Sequence, residues 1–163
     1  MTPSVSYAWQ PIGEQWGLEA KGKSNINILG LLDPIHNELH SYKVPRGKYM
    51  NSELFIEFIN DFIKNNKTEE PIVLVMDNAP WHKSMVMKKK MLEWQDSNLF
   101  TIFLPPYSPQ LNLIETLWRK IKHEWLCRKD YYSKNTLERK LDNIFREYNN
   151  LYNIQFSMKI FNT

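Results

Sequence analysis

Apolar residues along the chain fall into short runs and helical stripes, separated by polar and proline-containing breaks. Ile26, Ile28, Leu29, Leu31 and Leu32 make a strand-like run that stops at Asp33-Pro34. Residues 38–44 can pair back on it as a hairpin, with residues 34–37 as the connection. Pro45-Arg46-Gly47 breaks the pattern, and Asn51 then stands as an N-cap before Leu54, Phe55, Phe58, Ile59, Phe62 and Ile63. That spacing predicts an amphipathic helix, ended by Asn65-Asn66. Ile72 to Met76 are five apolar residues in a row, which predicts a strand buried on both faces. Residues 84–96 read as a helix with Met87, Met91 and Trp94 on one side, and residues 99–104 as a second buried strand closed by Pro105-Pro106. A helix starting near Leu111 carries Ile114, Leu117, Trp118, Ile121 and Trp125. A last one, over residues 136–152, carries Leu137, Leu141, Ile144, Phe145, Tyr148 and Leu151.

The order is strand, strand, helix, strand, helix, strand, helix, helix. A hairpin followed by alternating units predicts an α/β fold, a mixed sheet with helices on both faces. No repeat, low-complexity tract or linker divides the 163 residues, so they read as a single domain able to bury a sizeable core. Hydrophobic content of 42% with 24% charged residues is that of a globular protein. A net charge of +3 is compatible with nucleic acid without demanding it. The single cysteine, Cys127, rules out an intrachain disulfide and fits a reducing compartment. The first residues lack the basic and apolar regions of a signal peptide, and no apolar run approaches the ~20 residues of a membrane span. A soluble cytoplasmic protein that avoids membranes is expected.

Two places carry chemistry. In VLVMDNAPWH the apolar run ends abruptly in Asp77-Asn78, with His82 close behind. A carboxylate just past a buried strand sits at a sheet edge, where ligands bind in open α/β sheets; the plainer reading is that Asp77 and Asn78 only make a turn. In LPPYSPQLNLIETLWRKIK, three prolines in five residues stiffen the exit from a strand and fix the entry to a helix whose first turn or so contains Glu115. Two acids on rigid elements at one edge can share divalent metals, because hard cations prefer carboxylate oxygens. Alternatively, Glu115 merely complements the helix dipole.

Together the two segments resemble the second and third acidic motifs of DDE transposases, in particular the bacterial insertion-sequence members of the mariner superfamily. In that family a strand ends in Asp-Asn followed by His, and a Leu-Pro-Pro-Tyr-Ser-Pro loop leads to Leu-Asn-Xaa-Ile-Glu at a helix start. Here the acids are 115 − 77 = 38 positions apart. The segment Tyr7-Ala8-Trp9-Gln10-Pro11-Ile12-Gly13 is similar to the family's Trp-centred stretch, so the resemblance runs from about Tyr7 to Trp125. It implies a ribonuclease-H-like mixed sheet flanked by helices and a two-metal phosphoryl transfer that cuts and joins DNA. Asp77 and Glu115 would be catalytic acids and metal ligands for Mg²⁺ or Mn²⁺. Asn78 and His82 would orient a ligand or touch phosphate, and Arg119, Lys120 and Lys122 would contact DNA. The implied partners are double-stranded DNA (transposon ends and target), a second copy in a synaptic complex and a separately encoded N-terminal half. The implied setting is the bacterial cytoplasm at the nucleoid.

One part of the pattern is unmatched. The family's first acid lies on its first strand, shortly before the Trp-centred stretch, yet none of residues 1–6 is acidic. Glu14, Asp33 and Asp61 do not fit the motif, and the helix-turn-helix region has no counterpart. The expectation is therefore a catalytic domain lacking its N-terminal part, with its first strand missing or incomplete and inactive alone. The competing readings are a non-catalytic nucleic-acid-binding or interaction remnant, and a ribonuclease-H-type nuclease. Other candidates are weaker. His36 and His40 face each other across the hairpin without the partners zinc needs. Lys83 and Lys88-Lys89-Lys90 read as a solvated helix face, Trp118 and Trp125 as core, and Cys127 as an isolated thiol.

Overall fold

In the computed structural model, which describes residues 26–156, the two apolar runs flanking the acidic motifs are adjacent strands. The strand β3 (Ile72–Met76) pairs in parallel with β4 (Leu99–Phe103), Ile72 opposite Leu99 and Met76 opposite Phe103. Parallel strands need a long connection. Here it is α2 (Met85–Gln95), whose N-cap Ser84 accepts the Met87 N–H at 3.2 Å. Before them come the hairpin strands β1 (Ile28–Asp33) and β2 (Glu38–Lys43) and the helix α1 (Ser52–Asn65). Asn51 caps α1, its side chain accepting the Leu54 N–H at 2.9 Å as the sequence predicts.

The chain forms two compact units. The larger comprises Ile28–Leu32 and His40–Thr116. Its core joins Leu29 of β1, Leu54, Phe55, Phe58 and Ile59 of α1, Met76 of β3, Met87, Met91 and Trp94 of α2, and Leu99 of β4. Each fully buried side chain of this kind contributes about 1.5–3 kcal/mol. Trp94 satisfies its indole N–H on Asn60 Oδ1 at 2.9 Å.

The described part of the second unit comprises residues 26–27, Asp33–Leu39 and the chain from Leu117 to 156. Helix α3 (Leu113–Lys120) enters it and widens into a five-residue π turn, Ile121–Trp125. After a 3₁₀ turn follows α4 (Lys134–Arg146). Leu117, Ile121, Leu137, Leu141 and Ile144 are its fully buried residues. Trp118 meets Phe145 edge-on at 6.4 Å, and Trp125 packs on Tyr148 and Tyr152. Asn37, at the hairpin tip, donates to Asn149 Oδ1 at 2.9 Å and accepts the Tyr148 hydroxyl at 2.7 Å. Asp130 is buried and accepts the Cys127 N–H and S–H at 2.8 and 3.0 Å, so this thiol is not isolated.

Several expectations change. Among the described residues the strands form two two-stranded sheets rather than one. The β3 strand is buried on one face only, because Val73 and Val75 are 52% and 50% exposed while Ile72, Leu74 and Met76 face the core. Phe100 and Ile102, opposite them on β4, are 41% and 54% exposed, so no helix among the described residues covers that face. The helix expected near Leu111 begins at Leu113 after a short 3₁₀ turn, Pro109–Leu111. The last helix runs from Lys134 to Arg146 instead of 136–152. Ser133 caps it three residues before Thr136, and Asn149 takes a left-handed φ of 64° beyond its end. The Trp-centred segment 7–13, residues 1–6 and Glu14 lie outside the described residues.

Candidate functional site

The ends of β3 and β4 are locked side by side. The Leu104 N–H reaches Met76 O at 2.8 Å, and the Asn78 amide donates across to Leu104 O. Asp77 is thereby fixed between a strand end and the following turn. Its Oδ1 accepts the Ala79 N–H at 3.0 Å, an Asx turn of the kind Asp favours. Pro80 then opens a 3₁₀ turn, Pro80–Lys83, that carries His82 back under Asp77. The His82 Nδ1 lies 3.0 Å from Asp77 Oδ1 and 3.1 Å from Asp77 O. Only 6% of His82 is exposed; its ring is packed against Trp81 and Phe55, with centroids 3.7 and 4.9 Å away. The Ser52 hydroxyl of α1 donates to Trp81 O at 2.7 Å and secures this turn to the core.

Beyond β4, Pro105-Pro106 leads to Tyr107, which has a left-handed φ of 56° and is fully exposed. The Ser108 hydroxyl turns back to Pro106 O at 3.2 Å, and the 3₁₀ turn brings the chain to Asn112, whose carbonyl accepts the Glu115 N–H at 3.0 Å. Asp77 and Glu115 line one open cleft of about 160 Å³, with Asn78, Leu104, Tyr107, Ser108 and Asn112 around them. The carboxylate of Glu115, in the first turn of α3, makes no hydrogen bond or ion pair among the described residues. All of these residues belong to the larger unit.

The cleft offers hard oxygen donors: two carboxylates and the free oxygen of the Asn78 amide. Such a set suits Mg²⁺ or Mn²⁺, which are held through one or two carboxylates while keeping waters. No group of three or more His, Cys, Asp or Glu among the described residues forms a closed metal site. His36 and His40 are not brought together: His36 pairs with Asp33 at 2.6 Å, and His40 stacks on Phe58 at 5.1 Å. A larger cleft of about 240 Å³ lies between β2 and α1. Its two carboxylates, Glu57 and Asp61, are exposed one turn apart on a single helix, without the converging rigid elements of the Asp77 cleft.

His82 does not stand where a phosphate contact requires it, because it is sealed behind Asp77. Asn78 lines the cleft and gives one of its two amide hydrogens to holding the strand ends together. Of the basic residues, Arg119 is exposed, Lys122 half-buried, and Lys120 paired with Glu124 at 2.6 Å. Lys88 and Lys89 are exposed, as a solvated face requires, while Lys90 pairs with Glu93 at 2.7 Å. Ser108, Asn112 and the strained Tyr107 escape a reading that follows only acids and bases, although all three lie inside the proline-rich motif.

Residues 1–138 match the sequence profile of the DDE superfamily endonucleases. The chain belongs to this superfamily. It is 30% identical over 86 residues to an uncharacterized protein of Sinorhizobium fredii, covering 51% of this chain and 59% of that one. It is 25% identical over 130 residues to the insertion element IS630 39 kDa protein of Shigella sonnei, covering 78% of this chain and 36% of that one. The DDE chain thus spans less than two thirds of the length of either relative. Its fold resembles the catalytic core domain of BIV integrase with a TM-score of 0.50 at 14% identity, over 73% of this chain and 74% of that chain. It also resembles the protein in the Mos1 strand transfer complex, with a TM-score of 0.56 at 13% identity, over 90% and 45%. Both neighbours are ribonuclease-H-like cores, and that is the fold of this DDE domain. The resemblance to mariner and insertion-sequence transposases is borne out, and the family generally uses divalent metal ions. No helix among the described residues is long and apolar enough to cross a membrane.

Proposed function

We propose that this chain is the catalytic-domain part of a DNA transposase, in which Asp77 and Glu115 hold a divalent cation against a DNA phosphodiester. The observation that carries this is the shared cleft: two carboxylates from separate rigid elements line one opening. Asp77 presents a half-exposed side chain there, and Glu115 a carboxylate with no partner among the described residues. A divalent cation bound between them would supply the charge stabilisation that in-line displacement at phosphorus needs. The residues themselves fix where it binds: Asn78 keeps the two strand ends together, and the proline loop sets the height of α3. Double-stranded DNA is the proposed substrate, in keeping with the strand transfer complex and the intasome among the structural neighbours. Arg119, Lys120 and Lys122 are the proposed phosphate contacts. Binding through them is sequence-independent and weakens steeply with salt.

Two carboxylates are one short of the set that a two-metal site uses. A third is proposed to come from outside the described residues or from a second polypeptide, and the 163-residue chain alone is expected to bind metal without cleaving DNA efficiently. The absence of a three-ligand group among the described residues equally favours a second reading, a non-catalytic DNA-binding remnant. Titration with Mn²⁺ separates the two. Under the first reading Asp77→Ala and Glu115→Ala each weaken Mn²⁺ binding at least tenfold, whereas unchanged binding in both variants leaves the remnant. Strong Mg²⁺-dependent cleavage by the chain, abolished by Asp77→Ala, would place the third ligand within these 163 residues.

A further inference from the structure

We infer that His82 is a positioning residue: its Nδ1–H bonds the Asp77 carbonyl and its ring stands 3.0 Å from Asp77 Oδ1, so that Asp77 turns its other oxygen, Oδ2, to the cleft. The inference rests on the metal-binding reading above and assigns a task to a residue that the cleft itself does not include. The ring has two nitrogens in unlike surroundings. Nδ1 faces two acceptors, Asp77 Oδ1 at 3.0 Å and Asp77 O at 3.1 Å. Nε2 is sealed from solvent without any partner, beneath Phe55 and Trp81. A hydrogen on Nε2 would bury an unmatched donor and turn the Nδ1 lone pair toward two oxygens. A hydrogen on Nδ1 meets the Asp77 carbonyl, faces Oδ1 beside it, and leaves only a lone pair in the apolar pocket. The Nδ1–H tautomer follows.

The consequence lies at the carboxylate. Oδ1 already receives the Ala79 N–H at 3.0 Å, and the His82 ring nitrogen stands 3.0 Å from it. Oδ2 has no hydrogen bond among the described residues, and the Asp77 side chain is 47% exposed. The ring cannot drift, because the His82 N–H is bonded to Ala79 O at 2.9 Å and Trp81 O is held by Ser52. The acid is therefore oriented before a cation arrives, as partners behind a metal ligand commonly ensure.

Three measurements on the full 163-residue chain test this. Long-range ¹H–¹⁵N NMR of the unsubstituted protein should find the His82 hydrogen on Nδ1, and finding it on Nε2 overturns the inference without reference to any metal. His82→Phe keeps the aromatic volume and removes the donor, and should weaken Mn²⁺ binding roughly 10–100-fold, as loss of such partners does. His82→Asn, which returns an N–H near the Nδ1 position, should recover most of that loss. If His82→Phe fails to fold, the tautomer and the Asn variant still decide. Native Mn²⁺ affinity in folded His82→Phe, with affinity lost in Asp77→Ala, overturns the positioning role alone. Native affinity in Asp77→Ala overturns the metal-binding reading as well.

Discussion

The two acids of the cleft are held in opposite ways. Asp77 ends a strand buried on one face; its Oδ1 accepts the Ala79 N–H and lies 3.0 Å from the His82 ring, itself wedged against Phe55 and Trp81. Glu115 rides on the first turn of α3, its backbone anchored to Asn112 and its carboxylate touching no polar group among the described residues. One acid is placed by its side chain's neighbours, the other by its helix. If a cation binds as proposed, a site built this way would fix one ligand and leave the other able to adjust its rotamer as the cation and its waters settle. The two should therefore differ in what their removal does to the fold, even where the loss of metal binding is alike.

The largest effect expected from breaking the Asp77 support is that of Phe55→Ala. The ring is buried and touches both Trp81 and His82, so its loss should cost about 3–5 kcal/mol. It should also weaken Mn²⁺ binding. Leu141→Ala, buried in the other unit, should cost about 2–5 kcal/mol and leave Mn²⁺ affinity alone in the folded protein. Chemical denaturation with a parallel Mn²⁺ titration compares the two. Next comes Asn78→Ala, which leaves Leu104 O without its donor and should destabilise by about 1–3 kcal/mol. Its Mn²⁺ affinity should fall because the strand ends part.

The direct contrast is smaller. Asp77→Ala should cost about 1 kcal/mol of stability, the worth of the hydrogen bonds it accepts. Glu115→Ala should stay within about 0.5 kcal/mol of the unsubstituted chain. Equal losses from the two substitutions would erase the distinction drawn here. A last check uses pH and the other unit. Burial pushes the Tyr148 phenol up from 10.0 to about 12. The fold thus prefers the protonated phenol, and that contribution is whole below pH 10 and lost as pH rises through about 12. Alkaline unfolding followed by circular dichroism should show it, and Tyr148→Phe should flatten the slope. The Asp77–Glu115 cleft, in the larger unit, contains no part of this switch.

Much of this was legible in the residues. Asn51 and Ser84 announce helix starts because their side chains can reach the free N–H groups of a first turn, and both do. The apolar runs ending in Asp77 and in Leu104-Pro105 put the acidic motifs at neighbouring strand ends because a strand's end is marked locally, by where the apolar run stops. What lies on a strand's far side is not a local property. Val73 and Ile102 look as fit for a core as Ile72 and Leu99, and only the arrangement of the helices decides which pair meets water. His82 shows the same limit: a histidine five residues after an acid can face outward to phosphate or inward to the acid. The tilt imposed by Pro80, and the Phe55–Trp81 pocket built from distant sequence, choose the second. The end of α4 was missed because Leu151 and Tyr148 continue the helical spacing, whereas the backbone leaves the helix at Glu147.

The open face of β3 and β4 bears on how the protein behaves in a tube. Val73, Val75, Phe100 and Ile102 form a flat, uncharged patch over two strands, each with an unpaired edge among the described residues. Ile72-Val73-Leu74-Val75-Met76 within it has no charge, no proline and no glycine to interrupt cross-strand stacking between molecules. Colloidal stability at high concentration thus rests on the surface lysines and acids around this patch. Salt that screens them leaves the apolar strands to meet one another.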